Sequence, residues 1–253
     1  MSDNAEAEVF KQDMIEFGGF WQYKAGAKYL AKLTSGKVSD VFANTSVVTC
    51  RPNIIESATI AIMERCLKTA MISNLAPLNS LCFVGPALGA VPFTYALALE
   101  MNMLVDSGLA SDYVLTTEDY SPTMVAFPEK DATTKHGWKF RTNPDEAKGI
   151  VMVEDVITTG GSLANVLLTM LDTNGLNISF NKVRPVIFCL VNRTGSPTIK
   201  LHEFLPEFKI VSVLDIEAKT FDTLEEAQKV YPAVIDAIRP KSPKSNWDLL
   251  VNG

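Results

Sequence analysis

The stretch from Gly149 to Ser162 constrains this chain more than any other part of its sequence. It opens with a short apolar run, Ile150 to Val153, whose length and composition predict a buried parallel strand. Two adjacent carboxylates, Glu154 and Asp155, follow, and a loop of glycine, threonine and serine comes next. Apolar residues at helical spacing then predict a helix, which Asn174-Gly175 would end; these apolar residues are Leu163, Val166, Leu167, Met170 and Leu171.

A loop between a parallel strand and a helix lies where open α/β sheets bind ligands. Glycine lets the backbone approach a ligand, and the free N–H groups at the start of a helix favour phosphate. The carboxylates would repel phosphate but accept hydrogen bonds from sugar hydroxyls, so together these features predict a ribose 5-phosphate site. The two better-known phosphate-loop patterns, G-x-x-x-x-G-K-[ST] and G-x-G-x-x-G, are both absent. For Gly-Gly-Ser alone, the alternative interpretation is an ordinary Gly-rich turn. The loop comprises Thr158, Thr159, Gly160, Gly161 and Ser162.

The whole pattern of strand, acidic pair, Thr-Thr-Gly-Gly-Ser loop and helix resembles the phosphoribosyl pyrophosphate (PRPP) signature of type I phosphoribosyltransferases. The resemblance implies that Glu154 and Asp155 bind the ribose 2- and 3-hydroxyls, with Asp155 also serving catalysis. It implies that residues 158–162 bind the 5-phosphate. The implied fold is α/β, with a central, mostly parallel sheet flanked by helices and a small amino-terminal hood.

Two further segments are similar to orotate phosphoribosyltransferases in particular. Residues 33–44 read alone as a hairpin around a Ser-Gly turn, but they resemble that family's amino-terminal hood. The resemblance implies that Phe42 lies against the base, while Thr34 stands where many members have lysine. Arg193 follows a predicted core strand, Val183 to Val191, and matches an arginine that meets the orotate carboxylate. A planar guanidinium suits that partner, although without the resemblance it is only a turn arginine.

A second strand, loop and helix unit begins with the predicted strand Leu81 to Val84. Successive backbone N–H groups of a compact loop can bind an anion, although an ordinary β-to-α turn explains the pattern equally well. The loop resembles the pyrophosphate loop of orotate enzymes. Some members have lysine at the position of Gly89, so its absence here would place more weight on backbone donors. The loop residues are Gly85, Pro86, Ala87, Leu88 and Gly89.

Residues 129–141 are polar and basic and lack an apolar period, which indicates a mobile loop or an exposed charged hairpin. Type I phosphoribosyltransferases place a flexible, lysine-rich catalytic loop immediately before the signature strand. The resemblance therefore implies catalytic roles for Lys130, Lys135 and His136. The spacing is shifted from the commonest pattern, so the sequence does not rank these three residues.

Composition limits the class of protein. The 253 residues, 47% of them hydrophobic, suffice for a single domain, which we divide into a hood (1–45), a core (46–215) and a carboxy-terminal extension (216–253). A net charge of −6 argues against nucleic acid as a partner, and the acidic start is not typical of a signal peptide. The cysteines, at positions 50, 66, 82 and 189, have no metal-binding spacing and are interpreted as reduced core residues of a cytoplasmic protein.

The remaining patterns predict further elements. Residues 5–17 and a segment from Pro52 predict helices, the latter burying Leu67, and a third helix should run from residue 92 to about residue 101. Short strands are predicted at 113–115, 124–127 and 209–213. The tail, including residues 238–244, resembles one branch of orotate enzymes, so the resemblance covers most of the chain in patches.

The resemblance implies transfer of the phosphoribosyl group of PRPP to orotate, giving orotidine 5-monophosphate and pyrophosphate. It implies Mg²⁺ carried mainly by PRPP, with no direct metal ligand from the protein, and a homodimer. Neither nucleic acid nor membrane is an expected partner. The alternatives are a type I phosphoribosyltransferase for a purine or another base, and a non-catalytic PRPP-binding regulator. A PRPP synthase-like diphosphotransferase is a further alternative, but the sequence shows no ATP site for it.

Overall fold

The computed structural model describes residues 3–33, 35–69, 71–114, 123–172, 176–240 and 244–253. Thr34, the predicted helix stop at 174–175, Leu115 and residues 241–243 of the tail lie outside the described residues.

Helices and strands alternate along most of the chain. The helices are α1 (Asp3–Glu16), α2 (Ser46–Thr49), α3 (Pro52–Lys68), α4 (Val91–Asp106), α5 (Gly161–Leu171), α6 (Leu224–Val230) and α7 (Lys244–Asn252). The strands are β1 (Phe20–Gln22), β2 (Tyr29–Lys32), β3 (Val38–Ser39), β4 (Val41–Ala43), β5 (Leu81–Val84), β6 (Met124–Ala126), β7 (Glu129–Lys130), β8 (Trp138–Lys139), β9 (Gly149–Ile157), β10 (Val183–Asn192), β11 (Thr198–Ile199), β12 (Phe208–Asp215), β13 (Thr220–Phe221) and β14 (Asp236–Ile238).

Six strands form the central sheet, in the order β11-β12-β10-β9-β5-β6. Every pairing in it is parallel except that of β11, which runs antiparallel to β12 at one edge. The inner strands are almost continuously apolar because helices cover both faces of a sheet of this kind. The predicted α/β architecture, with a mostly parallel central sheet flanked by helices, is confirmed.

Alternation along β9 divides the core between the two faces of the sheet. Val151 and Val153 pack with the buried faces of α1, α3 and α4. Ile150 and Met152 pack on the opposite face with α5, whose buried residues are Leu163, Val166, Leu167 and Met170. This packing fixes the direction of α5 and thus places its amino-terminal end at the carboxyl edge of the sheet.

A second sheet joins the two ends of the chain. Its four strands lie in the order β13-β3-β2-β14, so the amino-terminal strands β2 and β3 are flanked by strands of residues 216–253. A separate antiparallel pair, β1 and β4, lies beside it. Buried residues from both ends of the chain, among them Leu30, Phe42, Val234 and Leu250, form one hydrophobic cluster under this sheet.

The predicted strands at 81–84, 124–127, 183–191 and 209–213 and the predicted helices are confirmed, with small shifts of their ends. The signature strand is longer than predicted: β9 continues to Ile157 because Val156 and Ile157 keep pairing with β10. The acidic pair therefore lies inside the strand instead of following it. The strand predicted at 113–115 is wrong for Tyr113, which lies in a 3₁₀ turn after α4.

Three smaller predictions also need correction. The basic segment from Glu129 is a hairpin of β7 and β8, and not a loop without regular structure. Leu67 is partly exposed near the end of α3, and Cys50 is exposed while the other three cysteines are buried.

Within the described residues, no helix has both the length and the apolar character needed to cross a membrane.

Candidate active site

The glycine-rich loop leads directly from β9 into α5. Gly160 has a φ of +72°, in the left-handed region, and precedes the first residue of the helix. A Cβ atom at this position would lie 2.7 Å from Ile199 Cδ1 and 2.8 Å from Leu201 Cδ2, so the turn requires glycine. No side chain caps the start of α5, and Thr158, Thr159 and Ser162 around it are exposed. The first N–H groups of the helix are therefore available to an anion.

The two carboxylates of β9 have different surroundings. Glu154 is buried, and its Oε1 accepts a hydrogen bond from the backbone N–H of Asp155 at 3.1 Å. Burial, reinforced by the neighbouring charge of Asp155, raises the pKa of Glu154 well above its ordinary value. The charge of Lys130 opposes this rise in the pKa of Glu154, so its ammonium group acts electrostatically on that carboxyl group.

Asp155 is held in place from two sides. Its Oδ2 accepts a hydrogen bond from Thr45 Oγ1 at 2.7 Å, and its Oδ1 accepts one from the backbone N–H of Val156 at 2.9 Å. Thr45 is itself buried and is the last residue of the hood, directly after the pattern of residues 33–44. This contact fixes the carboxylate and ties the hood to the signature strand.

The loop after β5 has few free donors. The N–H groups of Gly85 and Ala87 already donate to the carbonyls of Ala126 and Pro128, at 3.1 Å and 2.8 Å. Pro86 has no N–H. Within the described part of the chain, the N–H groups of Leu88 and Gly89 have no acceptor, so these two are the donors that the loop can offer to an anion.

This loop meets the acidic pair at Gly89. A Cβ atom built on Gly89 would lie 2.5 Å from Asp155 Oδ2. A lysine here would therefore require a shift of the carboxylate or of the loop, which explains physically why glycine occupies the position. The backbone of one loop and the carboxylate of the other consequently lie side by side.

A cavity of about 560 Å³ lies next to the glycine-rich loop. It brings together Phe42 from the hood, Arg193 from the end of β10 and Thr158 from the loop. Apolar side chains provide much of the wall, and three cationic side chains reach it. Its other lining residues are Lys32, Leu33, Ser35, Ala43, Val156, Arg239 and Pro240.

Arg193 connects the core to the hood. Its Nη2 donates to Ser39 Oγ at 3.0 Å and to the carbonyl of Val41 at 3.1 Å, while its buried Nε has no acceptor among the described residues. Burial lowers the pKa of Arg193, and the charge of Asp40 opposes this. An unpaired buried N–H costs about 1–3 kcal/mol.

The three basic residues of the hairpin lie in different places. Lys130, at its base, is the one whose charge acts on Glu154. Lys135 Nζ and His136 Nε2 instead lie 3.5 Å and 3.3 Å from Asp172 Oδ2, at the carboxyl end of α5. Because α5 has 11 residues, its length separates them from the phosphate loop by about 16 Å. They line a different cavity, of about 460 Å³, with Trp138.

Three residues of the site are not predicted from the sequence. Thr45 follows the hood pattern directly, but a threonine carries no signal of a carboxylate partner 110 positions away. Lys32 precedes the hood pattern by one residue. Arg239 falls in the tail segment that resembles orotate enzymes, which was the only signal pointing to it. Within the described ranges, no three His, Cys, Asp or Glu side chains converge to hold a metal ion.

The fold and this arrangement of loops define the class: the architecture is that of the type I phosphoribosyltransferases. The structure aligns with that of orotate phosphoribosyltransferase from Aeropyrum pernix with a TM-score of 0.52, at 20% identity, over 88% of this chain and 97% of that one. No family model matches the sequence.

Among proteins compared by sequence, the chain is similar to the orotate phosphoribosyltransferase of Thermococcus gammatolerans. The two are 26% identical over 186 residues, which cover 72% of this chain and 82% of the relative. The predicted resemblance to type I phosphoribosyltransferases, and to orotate phosphoribosyltransferase in particular, is thereby confirmed.

Proposed function

We propose that this protein transfers the phosphoribosyl group of PRPP to orotate, giving orotidine 5-monophosphate and pyrophosphate. The observation that carries the proposal is the cavity shared by Phe42, Arg193 and Thr158. It puts a pocket suited to a planar anion directly beside a loop suited to phosphate. The sequence relative and the structural neighbour are both orotate phosphoribosyltransferases, which supports the same reaction.

The donor half of the site would bind the ribose 5-phosphate. The first N–H groups of α5 and the hydroxyls of Thr158, Thr159 and Ser162 would bind the phosphate, with Gly160 and Gly161 allowing its close approach. Asp155, fixed by Thr45, would accept a hydrogen bond from one ribose hydroxyl. Glu154, which burial pushes toward its neutral form, can donate as well as accept at the other hydroxyl.

The leaving group would sit where Gly89 approaches Asp155. Breaking the bond between C1 and pyrophosphate ahead of bond formation to the base leaves positive charge on the ribose. The N–H groups of Leu88 and Gly89 would stabilise the pyrophosphate, and the Asp155 carboxylate beside them would stabilise the ribose. The groups that would stabilise the leaving pyrophosphate and the group that would bind the ribose therefore lie next to each other.

Mg²⁺ would be held mainly by oxygen atoms of PRPP. Asp155 is partly exposed, and its carboxylate oxygens are ligands of the kind that Mg²⁺ prefers. Because both oxygens already accept hydrogen bonds, the protein would supply few ligands to the ion and PRPP would supply most of them. When bound, the ion neutralises charge on the departing pyrophosphate.

The acceptor half would bind orotate in the 560 Å³ cavity. Phe42 would lie against the pyrimidine, and the guanidinium of Arg193, which lines the cavity, would pair with the orotate carboxylate. Orotate supplies its own nucleophilic nitrogen, which would bond to C1 as its proton passes to the departing pyrophosphate. The pocket therefore has to orient the base and exclude water.

The hairpin would complete the site by moving. Lys130 is already within electrostatic reach of Glu154, whereas Lys135 and His136 are held by Asp172. For either of these two to reach the pyrophosphate, the hairpin must leave Asp172 and close over the loops. We therefore rank Lys130 first among the three proposed catalytic residues.

A homodimer is also proposed, with α4 at its interface. Tyr95, Leu99 and Met103 recur every four residues on one face of α4 and are 55%, 49% and 64% exposed. Leu88, in the loop that precedes α4, is a further exposed apolar side chain, at 84%. A second copy covering the stripe would bury it. Light scattering should give a dimer that Met103→Glu dissociates; a monomer at every concentration would contradict the interface.

We further propose that residues 1–253 act as one domain, since the sheet β13-β3-β2-β14 unites both ends of the chain. A cytoplasmic location is proposed from the free thiols of Cys50, Cys66, Cys82 and Cys189, which are typical of a reducing compartment.

The direct test is to combine the protein with Mg²⁺, PRPP and orotate and to follow the ultraviolet absorbance of orotate. We expect a fall that requires PRPP and that Arg193→Ala abolishes. The matched control is Arg141→Ala, which removes an arginine on the exposed hairpin. No fall with orotate, while PRPP still raises the melting temperature, would reject orotate and leave another base as acceptor.

A further inference from the structure

We propose that Arg239, supplied by the carboxy-terminal extension, binds the anionic edge of the acceptor base and makes the enzyme select a base that carries a carboxylate. The inference rests on the proposed function and assigns it a further specificity-determining residue. Arg239, which follows β14, would act together with Arg193, which follows β10 of the central sheet.

Strand pairing positions Arg239 with precision. β14 runs parallel to β2, with Asp236 beside Tyr29, Ala237 beside Leu30 and Ile238 beside Ala31. Arg239 directly follows the last paired residue of β14, as Lys32 follows its partner Ala31 in β2, and both side chains line the cavity.

The backbone is also fixed after the strand. Pro240 is buried and contributes to the same wall of the cavity, and the Arg239 carbonyl accepts a hydrogen bond from Asn246 Nδ2 at 3.2 Å. The tail therefore holds Arg239 at the rim by β-pairing on one side and by α7 on the other.

The charge of the cavity favours an anionic ligand. Lys32, Arg193 and Arg239 line it, and its described lining contains no aspartate or glutamate, although the whole chain has a net charge of −6. Three cations beside the apolar faces of Phe42 and Val156 suit a flat ring with a negative edge.

Arg239 and Arg193 differ in how much of their bonding capacity the protein uses. Nη2 of Arg193 donates to Ser39 and Val41, which fixes that side chain. Asp40 acts on Arg193, but its oxygens already accept from Tyr231 and Lys219. Within the described ranges, no side chain forms an ion pair with Arg239, so its guanidinium is free for a ligand.

The experiment compares the steady-state kinetics of Arg239→Gln and Arg239→Lys with wild type, varying orotate and PRPP separately. A charged hydrogen bond lost from the base predicts that Arg239→Gln raises the KM for orotate by about tenfold or more. The KM for PRPP and kcat should stay within about twofold, and Arg239→Lys should recover part of the loss. Lys229→Gln, on α6 of the same extension, is the charge-matched control and should behave as wild type.

Selectivity provides the second readout. The ratio of kcat/KM for orotate to that for uracil, which lacks the carboxylate, should fall in Arg239→Gln by about the same factor as the orotate kcat/KM. Unchanged kinetics and selectivity, or a loss confined to the KM for PRPP, would overturn the role of Arg239 while leaving orotate transfer intact. A wild-type protein that does not consume orotate would overturn the proposed function and this inference with it. Melting temperatures confirm that each variant is folded.

Discussion

Replacing Asp155 by asparagine should lower catalytic activity without lowering the stability of the fold. The amide has nearly the same shape as the carboxylate. Its oxygen can keep accepting from the Val156 N–H, and its NH₂ group can donate to Thr45 Oγ1, which also accepts. Loss of the Asp155 charge removes one of the causes that raise the pKa of buried Glu154. The variant should therefore be at least as stable as wild type.

The effect on activity follows from the contact that is lost. A hydrogen bond to a charged group contributes about 1.5–3 kcal/mol, which corresponds to a decrease of about tenfold to a hundredfold in kcat/KM. If the carboxylate also stabilises the positive ribose, the decrease should lie mainly in kcat. The assay follows orotate absorbance while PRPP is varied, and a urea titration of the same sample measures the free energy of unfolding.

The control is Asp106→Asn, an exposed carboxylate at the far end of α4, about 24 Å along that helix from the pyrophosphate loop. It should leave both quantities unchanged. Full activity in Asp155→Asn would remove this carboxylate from the mechanism. A marked loss of stability, with activity falling only in proportion, would show that Asp155 serves the fold.

Three further perturbations test other parts of the site. Gly160→Ala forces a side chain into a left-handed turn against Ile199 and Leu201, so urea denaturation should show a loss of about 1–2 kcal/mol or more, with weaker PRPP binding by calorimetry; unchanged PRPP affinity would contradict the assignment of this turn to phosphate. Glu154→Gln should stabilise the protein at about pH 7 but not at about pH 4, because the raised pKa of Glu154 makes wild type lose stability as the pH rises above the ordinary glutamate value. An equal effect at both pH values, in parallel urea titrations, would refute the electrostatic explanation. Lys130→Ala combined with Lys135→Ala should lower kcat more than it weakens PRPP binding, as separate kinetic and calorimetric titrations would show; the reverse pattern would make the hairpin a binding device only.

Local patterns predicted the strand, turn and helix of the proposed donor half because these parts are contiguous in sequence. The apolar strand, the glycines and the amphipathic helix each have their own period or turn requirement, and together they determine the course of the loop between β9 and α5. The length of β9 was missed because two carboxylates look like the end of a strand. Pairing with β10 determines where β9 ends, and this pairing cannot be predicted from the sequence of β9 alone.

The acceptor half depends on contacts between distant parts of the chain. Thr45 bonds to Asp155, and Arg239 lines the cavity with Arg193, yet nothing near either residue in the sequence indicates these partners. The hairpin shows the same limit. The resemblance implied one catalytic loop for its three basic residues, but in the structure Lys135 and His136 lie beside Asp172.

The sheet shared by β2 and β14 gives the site an order of assembly. During synthesis the phosphate loop and acidic pair emerge well before residues 236–238, and β14 has to pair across more than two hundred positions to reach β2. Such distant pairings form late because much of the chain must be ordered first. If the proposed roles hold, a newly made chain would complete its site for the sugar phosphate before its site for the base, and base discrimination would mark the completed molecule.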